Sequence, residues 1–179
     1  MIDIIKDVLT VVGIPGAFYA AWKAIVEMKN SNKEKAKETA EKARENRHKQ
    51  AAAARDALRE LFSSEKAREA MQMLDWSGRS YRDGASDHII TFSDLGPALR
   101  VIDLKFDQKD RFIRDCFEDL FDKLELIGHF IDIDFLHYSD VAVPLTYYAK
   151  KVAGDINSFA PFLDVYGYPK TKALLLRAA

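Results

Sequence analysis

Residues 107–131 read DQKDRFIRDCFEDLFDKLELIGHFI. In this run Ile113, Cys116, Phe117, Leu120, Phe121, Leu124, Ile127 and Ile131 recur in steps of three and four, which places them along one face of an α-helix. The other side carries Asp115, Glu118, Asp119, Asp122 and Glu125 and reads as an ordinary solvated acidic face. A stripe this aromatic is stable only when other helices cover it, so the segment is predicted to be the central core helix. Upstream, Ser63 or Ser64 caps a further helix, with Glu65 in its first turn and Ala67, Met71 and Leu74 on one face. That helix is expected to end near Trp76. Residues 76–87, WSGRSYRDGASD, contain two glycines and no periodicity, and read as a loop. His88–Phe92 reads as a short strand or an extended edge, and Ser93-Asp94 caps a short segment containing Pro97. Downstream, residues 131–140 turn the chain, and helices follow over about 140–152, 156–166 and 171–177, with Gly167 ending the second of these. The fold class is therefore all-α, with a bundle of five or six helices.

The first 28 residues, MIDIIKDVLTVVGIPGAFYAAWKAIVEM, have a different character. No charge falls between Val8 and Trp22, and counting from Ile4 to Val26 reaches the ~20 residues that a spanning helix needs. Lys6, Asp7 and Lys23 lie near the ends, where they snorkel, and Tyr19 and Trp22 sit where interface anchors are common. A transmembrane helix over 1–28 is the expectation, against a core helix or a helix lying on the membrane. Basic residues from Lys23 to Lys49 then place the N-terminus outside and the C-terminal domain in the cytoplasm. Thr10, Gly13, Ala17, Ala20 and Ala24 share one small or polar stripe. Such a stripe suits close helix packing in a homo-oligomer, or the lining of a pore. Residues 29–62 are strong helix formers with no glycine or proline, and form a charged helical connector. Its seam runs Ala36, Ala40, Ala43, Arg47, Gln50, Ala54, Leu58 and Leu61, and Asn30-Ser31-Asn32 is the expected break before it. The domains are thus 1–28, 29–62 and a cytoplasmic helical domain over 63–179.

Composition narrows the chemistry. Lys+Arg 27 against Asp+Glu 28 gives a net charge of −1, which favours no class of partner, and one cysteine excludes a disulfide framework. Zinc spacing is absent. Asp122, Glu125 and His129 share a helix face, but Glu125 and His129 are four apart and have no second copy, so a di-metal site is not expected. No hydrolytic arrangement and no glycine-rich phosphate loop occurs, so the chain reads as a non-enzyme that needs no cofactor. Two basic-aromatic segments are the candidate ligand site: Trp76, Arg79, Tyr81 and Arg82 in the first, Lys170 and Lys172 of YGYPKTK (166–172) in the second. Cationic side chains hold phosphates while aromatic faces stack on bases, so a nucleotide or oligonucleotide is the ligand class. The alternative is that the aromatics pack the core edge while Arg79 and Arg82 pair with Asp83 and Asp87.

The stretch IRDCFEDLFDKLELIGHFIDIDFLHYSDVAVPLTYYAKKV (113–152) resembles a loose group of uncharacterised bacterial proteins in helix lengths and aromatic placement. The resemblance is best over 107–152 and extends elsewhere only as layout. It implies an inner-membrane protein with an N-terminal membrane helix, a charged helix and a cytoplasmic helical domain. Some members of that layout are membrane-disrupting effectors of antiphage systems, switched by a nucleotide signal. The combined expectation is a homo-oligomeric inner-membrane effector that forms a pore or channel in antiviral defence. Membrane lipid, further copies of the chain, and a nucleotide or a cytosolic protein partner gating the cytoplasmic domain complete that reading. The alternative is a membrane-tethered adaptor that recruits a cytosolic protein without permeabilising the membrane.

Overall fold

The computed structural model describes residues 2–178, with side chains at Tyr19 and at 22–177. In chain order the elements are α1 (Ile2–Ser63), α2 (Glu65–Asp75), β1 (Arg79–Asp83), β2 (Ser86–Ile90), α3 (Phe92–Ala98), α4 (Gln108–Asp132), α5 (Tyr138–Gly154), α6 (Ile156–Tyr166) and α7 (Pro169–Ala178). The fold is all-α with one two-stranded hairpin inserted between α2 and α3. The chain falls into two units, residues 1–48 and 49–179.

The first unit corrects the membrane reading. Among the described residues no helix is long and apolar enough to cross a membrane. Two physical features oppose a span over 1–28. The charge-free run Val8–Trp22 is shorter than the ~20 residues a bilayer core requires. In addition, α1 continues without interruption through Asn30-Ser31-Asn32 into strongly charged sequence, so the apolar run is not a separate element. The inner-membrane location with an outside N-terminus, the membrane-lipid partner and the pore or channel are withdrawn on this finding. Of the expected packing stripe, the side chains of Thr10, Gly13, Ala17 and Ala20 lie outside the described residues, and Ala24 is exposed. Tyr19, Trp22, Ile25 and Met28 are exposed too, as is the upstream part of the alanine seam, Ala36, Ala40, Ala43 and Arg47.

In the second unit the seam becomes a packing face. From Gln50 onward it is covered: Ala54 and Leu61 are buried and Leu58 packs against the core, as do the neighbouring Ala53 and Ala57. Helix α2 begins at Ser64, whose hydroxyl accepts from the Ala67 N–H, and buries Ala67, Ala70, Met71, Met73 and Leu74. It ends at Trp76. The segment expected to be a loop is a hairpin instead, with Tyr81 paired to His88 and Asp83 to Ser86. Gly84 takes φ +59° at the first position of the two-residue turn, where a primed turn demands a glycine. Tyr81 and His88 both face the Phe112 ring, at 6.4 and 5.8 Å between centroids. That contact anchors the hairpin to the start of α4.

Helix α4 is the centre of the unit and packs against α2, α3 and α7. It is capped by Asp107, whose carboxylate accepts from the Asp110 N–H at 2.7 Å. Its buried face supplies Phe117 and Phe121, which meet Phe159 and Phe162 of α6 and Tyr168 in a continuous aromatic cluster. Arg114 is buried on the same helix. Its guanidinium donates to Glu118 at 2.9 Å and lies over the rings of Phe106, Phe162 and Tyr166. Gly167 ends α6 in the left-handed region at φ +81°.

Helix α3 depends on a single carboxylate. Asp94 accepts from both the N–H and the hydroxyl of Thr91 at 2.7 Å and pairs with Lys109 at 2.7 Å. Burial alone pushes the Asp94 carboxyl up, but the hydrogen bonds from Lys109 and Thr91 outweigh it and hold the group below the ordinary aspartate range. A carboxyl lowered on folding contributes stability above its unfolded value of about 3.9 and loses it as pH falls through the lower folded value. The stability gap between the wild type and Asp94→Asn is therefore expected to narrow as pH drops below about 4. Denaturant midpoints at a series of pH values measure it. A gap independent of pH would show that this carboxylate is not held in its ionised form by the fold.

Candidate functional site

The face of α4 read as solvated acid is mostly occupied. Asp115 pairs with Lys66 of α2 at 3.0 Å. Asp119 accepts from the Ala67 N–H at 3.1 Å and from the Ser64 hydroxyl, so it reinforces the cap of α2 from a neighbouring helix. Asp122 accepts from the Tyr168 hydroxyl at 2.9 Å. Burial, with this carboxylate alongside, pushes the Tyr168 phenol well above its ordinary value. Glu125 accepts from the N–H groups of Lys170 and Thr171 at 3.2 and 2.7 Å, which satisfies two open donors at the start of α7. The face is a set of tertiary contacts, two of which, at Asp119 and Glu125, cap other helices. Asp122 and Glu125, weighed above as metal ligands, are both committed to such contacts. Among the described residues no group of three or more potential ligands converges.

The expected ligand residues do not meet. The first group sits by the hairpin at the Phe112 end of α4. Lys170 instead lies against Gly128, roughly 24 Å away at about 1.5 Å of rise per residue. Their cations are also engaged. Arg79 lies 4.9 Å over the exposed Trp76 ring and 5.9 Å from that of Tyr81, and Arg82 pairs with Asp87 at 3.4 Å. Lys170 pairs with Asp132, and Lys172 with Asp164 at 2.7 Å. Tyr81 is buried, with its hydroxyl unpaired, and its phenol is pushed up chiefly by burial. Beside the hairpin runs an open cleft of about 480 Å³ lined by Glu65, Lys66, Glu69, Arg82, Asp83 and Arg111 among others. Its lysine is already held by Asp115 and its Arg82 by Asp87. Cys116 is buried beyond Glu69 and donates to that carboxylate at 3.6 Å. Burial and the neighbouring Glu69 push the thiol far up, so it is a packing group and a poor nucleophile.

A different site has the unsatisfied surface. Between the last turns of α1 and the second half of α4 lies a groove of about 330 Å³. Ala53, Ala57 and Leu61 form one wall, Leu126, Ile127 and Phe130 the other, and Phe135 closes one end. The alanines make the groove, because a methyl group leaves room that a leucine would fill. On the opposite wall Leu126 is 45% exposed and Phe135 53%, and the tilted rings of Phe130 and Phe135 lie 5.2 Å apart between centroids. Gln50 donates to the Asp134 carbonyl at 2.7 Å and ties α1 to the turn that carries Phe135. Sequence reading did not single out any of these residues as a site. The signal was available beside the seam, where Ala53 and Ala57 put small side chains next to Leu58 and Leu61, but only α4 makes that difference a groove.

Fold and groove together define an all-α domain with a hairpin insert and an open apolar helix–helix groove. Comparison with protein-family models, with curated proteins and with solved structures found no match. The resemblance to bacterial proteins with an N-terminal membrane helix is therefore corrected: its defining element is missing among the described residues, and no family match supports it. The antiphage membrane effector and the membrane-tethered adaptor fall with it, since both require a membrane segment. The homo-oligomer, argued from the membrane stripe, loses that argument as well. The nucleotide partner was argued from two loops acting together, and these stand at opposite ends of α4.

Proposed function

We propose that this protein acts by binding rather than by catalysis, and that the groove between α1 and α4 receives the apolar face of a helix from another protein. The observation behind this reading is that Leu126 and Phe135 remain half-exposed beside a cavity whose opposite wall is alanine. Contiguous apolar surface in a concave setting, rimmed by charge, is the usual form of a helix-receiving site. Two antiparallel or crossing helices accept side chains spaced i, i+3, i+4 and i+7, whereas an extended strand needs a free sheet edge, and the groove has none.

The test is selection from a displayed library of amphipathic helical peptides on the full-length protein, followed by affinity measurement against Leu126→Glu. Because Leu126 is on the surface, the substitution leaves the core intact. Binding is expected to weaken about tenfold or more, the usual range for an interface anchor. Binders that are indifferent to Leu126→Glu, or no binders at all, would remove the groove as the functional site.

A further inference from the structure

The chain itself carries a helix of the kind its groove would receive. We infer that the groove takes residues 19–28 of α1 from a second copy of this chain, the two α1 helices running antiparallel about a two-fold axis. This assignment rests on the helix-binding reading above. Tyr19, Trp22, Ile25 and Met28 are each between 59% and 65% exposed, and the rings of Tyr19 and Trp22 lie 6.5 Å apart. Large apolar side chains clustered this way on a helix mark an interaction surface, and they are the bulk that the alanine wall of the groove lacks. Helix α1 is unbroken from Ile2 to Ser63, so this stretch cannot turn back onto Ala53 and Ala57 of its own helix. A second copy has to bring it.

The register along α1 points to the same occupant. Trp22, Ala36, Ala43 and Ala57 recur at multiples of seven residues, as do Ile25 and Ala53. Seven-residue spacing keeps side chains on one seam facing a partner helix. This seam begins in the exposed apolar stripe and ends in the α1 wall of the groove. An antiparallel alignment that sets Trp22 against Ala57 also sets Ala36 against Ala43 and centres on Thr39 and Ala40. Bulky residues then meet small ones at both ends, and exposed alanines meet in the middle, where the backbones can approach closely. A parallel, in-register pair would instead set Trp22 against Trp22 and leave both grooves empty. Lys29, Asn32, Thr39 and Asn46 make the middle of the seam polar, so the filled grooves at the ends hold the pair. Two-fold pairing fills both grooves at once and doubles the buried area, toward the ~1,600 Å² typical of a stable interface.

Sedimentation equilibrium of the full-length protein tests this with two surface substitutions, Trp22→Ala in the stripe and Leu126→Glu in the groove. The wild type is expected to be a dimer, and each substitution to raise its dissociation constant about tenfold or more. Far-ultraviolet circular dichroism should be unchanged in both variants. An equimolar mixture of the two is expected to dimerise more tightly than either variant alone, because the intact groove of one still meets the intact stripe of the other. A monomer at all concentrations would overturn the inference, as would a dimer indifferent to either substitution or a mixture no tighter than its components. Library peptides whose binding is lost with Leu126→Glu would, in any of those cases, leave the helix-binding reading standing. If such peptides are also absent, both fail.

Discussion

Replacing Phe121 with alanine is expected to destabilise the 49–179 unit by about 3–5 kcal/mol, the range for deleting a fully buried aromatic side chain. Phe121 has no exposed surface and lies among Phe117, Phe159, Phe162 and Tyr168, with centroid distances between 5.7 and 6.4 Å. These rings belong to α4, to α6 and to the turn after it, so the cavity opens where two helices and the chain entering α7 converge. None of these elements can close it alone. The Phe121 carbonyl also accepts from the buried Thr171 hydroxyl at 3.0 Å, which ties α7 to the same point. Thermal unfolding followed by near-ultraviolet circular dichroism should show a drop in Tm of roughly 10–20 °C. A fall of only a few degrees would mean that the aromatic cluster is loose enough to collapse into the space. Phe121→Leu, which keeps most of the volume, should recover much of the loss.

Gly128→Ala is the second large effect, and its sign runs against local preference. Within a helix alanine is favoured over glycine by about 1 kcal/mol. Here a Cβ at 128 would stand 2.8 Å from the Lys170 Cβ and 3.3 Å from the Lys170 carbonyl carbon and oxygen. Those atoms are backbone or next to it, so α7 itself has to move. Moving it strains the two N–H bonds to Glu125, one turn earlier on α4. The expected net cost is about 1–3 kcal/mol, typical of overpacking. It should also be non-additive with Glu125→Gln, since one displacement damages both contacts. Denaturant unfolding of the two single variants and the double variant measures this. A stabilised Gly128→Ala, or strict additivity, would show that α4 and α7 are not in close contact at this point.

Both predictions use residues whose importance differs in how it could be read. Phe121 belongs to a 3-4 apolar pattern, so its burial was legible from spacing alone, as were the course of α4, a cap of α2 at Ser63 or Ser64 and the Gly167 end of α6. These are local signals, and the physics that sets them acts within a turn or two of the chain. Gly128 carried no such signal, because nothing nearby in sequence reveals that Lys170 will approach it. The short strand read at His88–Phe92 overlaps β2, but its partner β1 and the hairpin they form were not legible, for a related reason. Tyr81 and His88 lie in five-residue segments too short to show a period, and both pack on Phe112, outside the hairpin. The acidic residues of α4 looked solvated because their partners, the N–H groups of Ala67, Lys170 and Thr171 and the hydroxyl of Tyr168, lie on other elements.

The N-terminal reading failed on a different point. A window of low charge predicts a separate membrane element, whereas helix formation does not stop where hydropathy changes. With no glycine or proline from residue 17 to residue 77, α1 has no local reason to end before Ser63. By itself, then, the sequence determined the helical class, the identity of the central helix, most of its buried face and several helix ends, because backbone propensity, capping and amphipathic spacing are all short-range. Tertiary structure alone decided which carboxylates cap which helices, where α4 and α7 come within contact, and that two alanines of α1 face Leu126 and Phe130 across an open groove. Each of these depends on pairs of residues far apart in the chain, and only packing brings such pairs together.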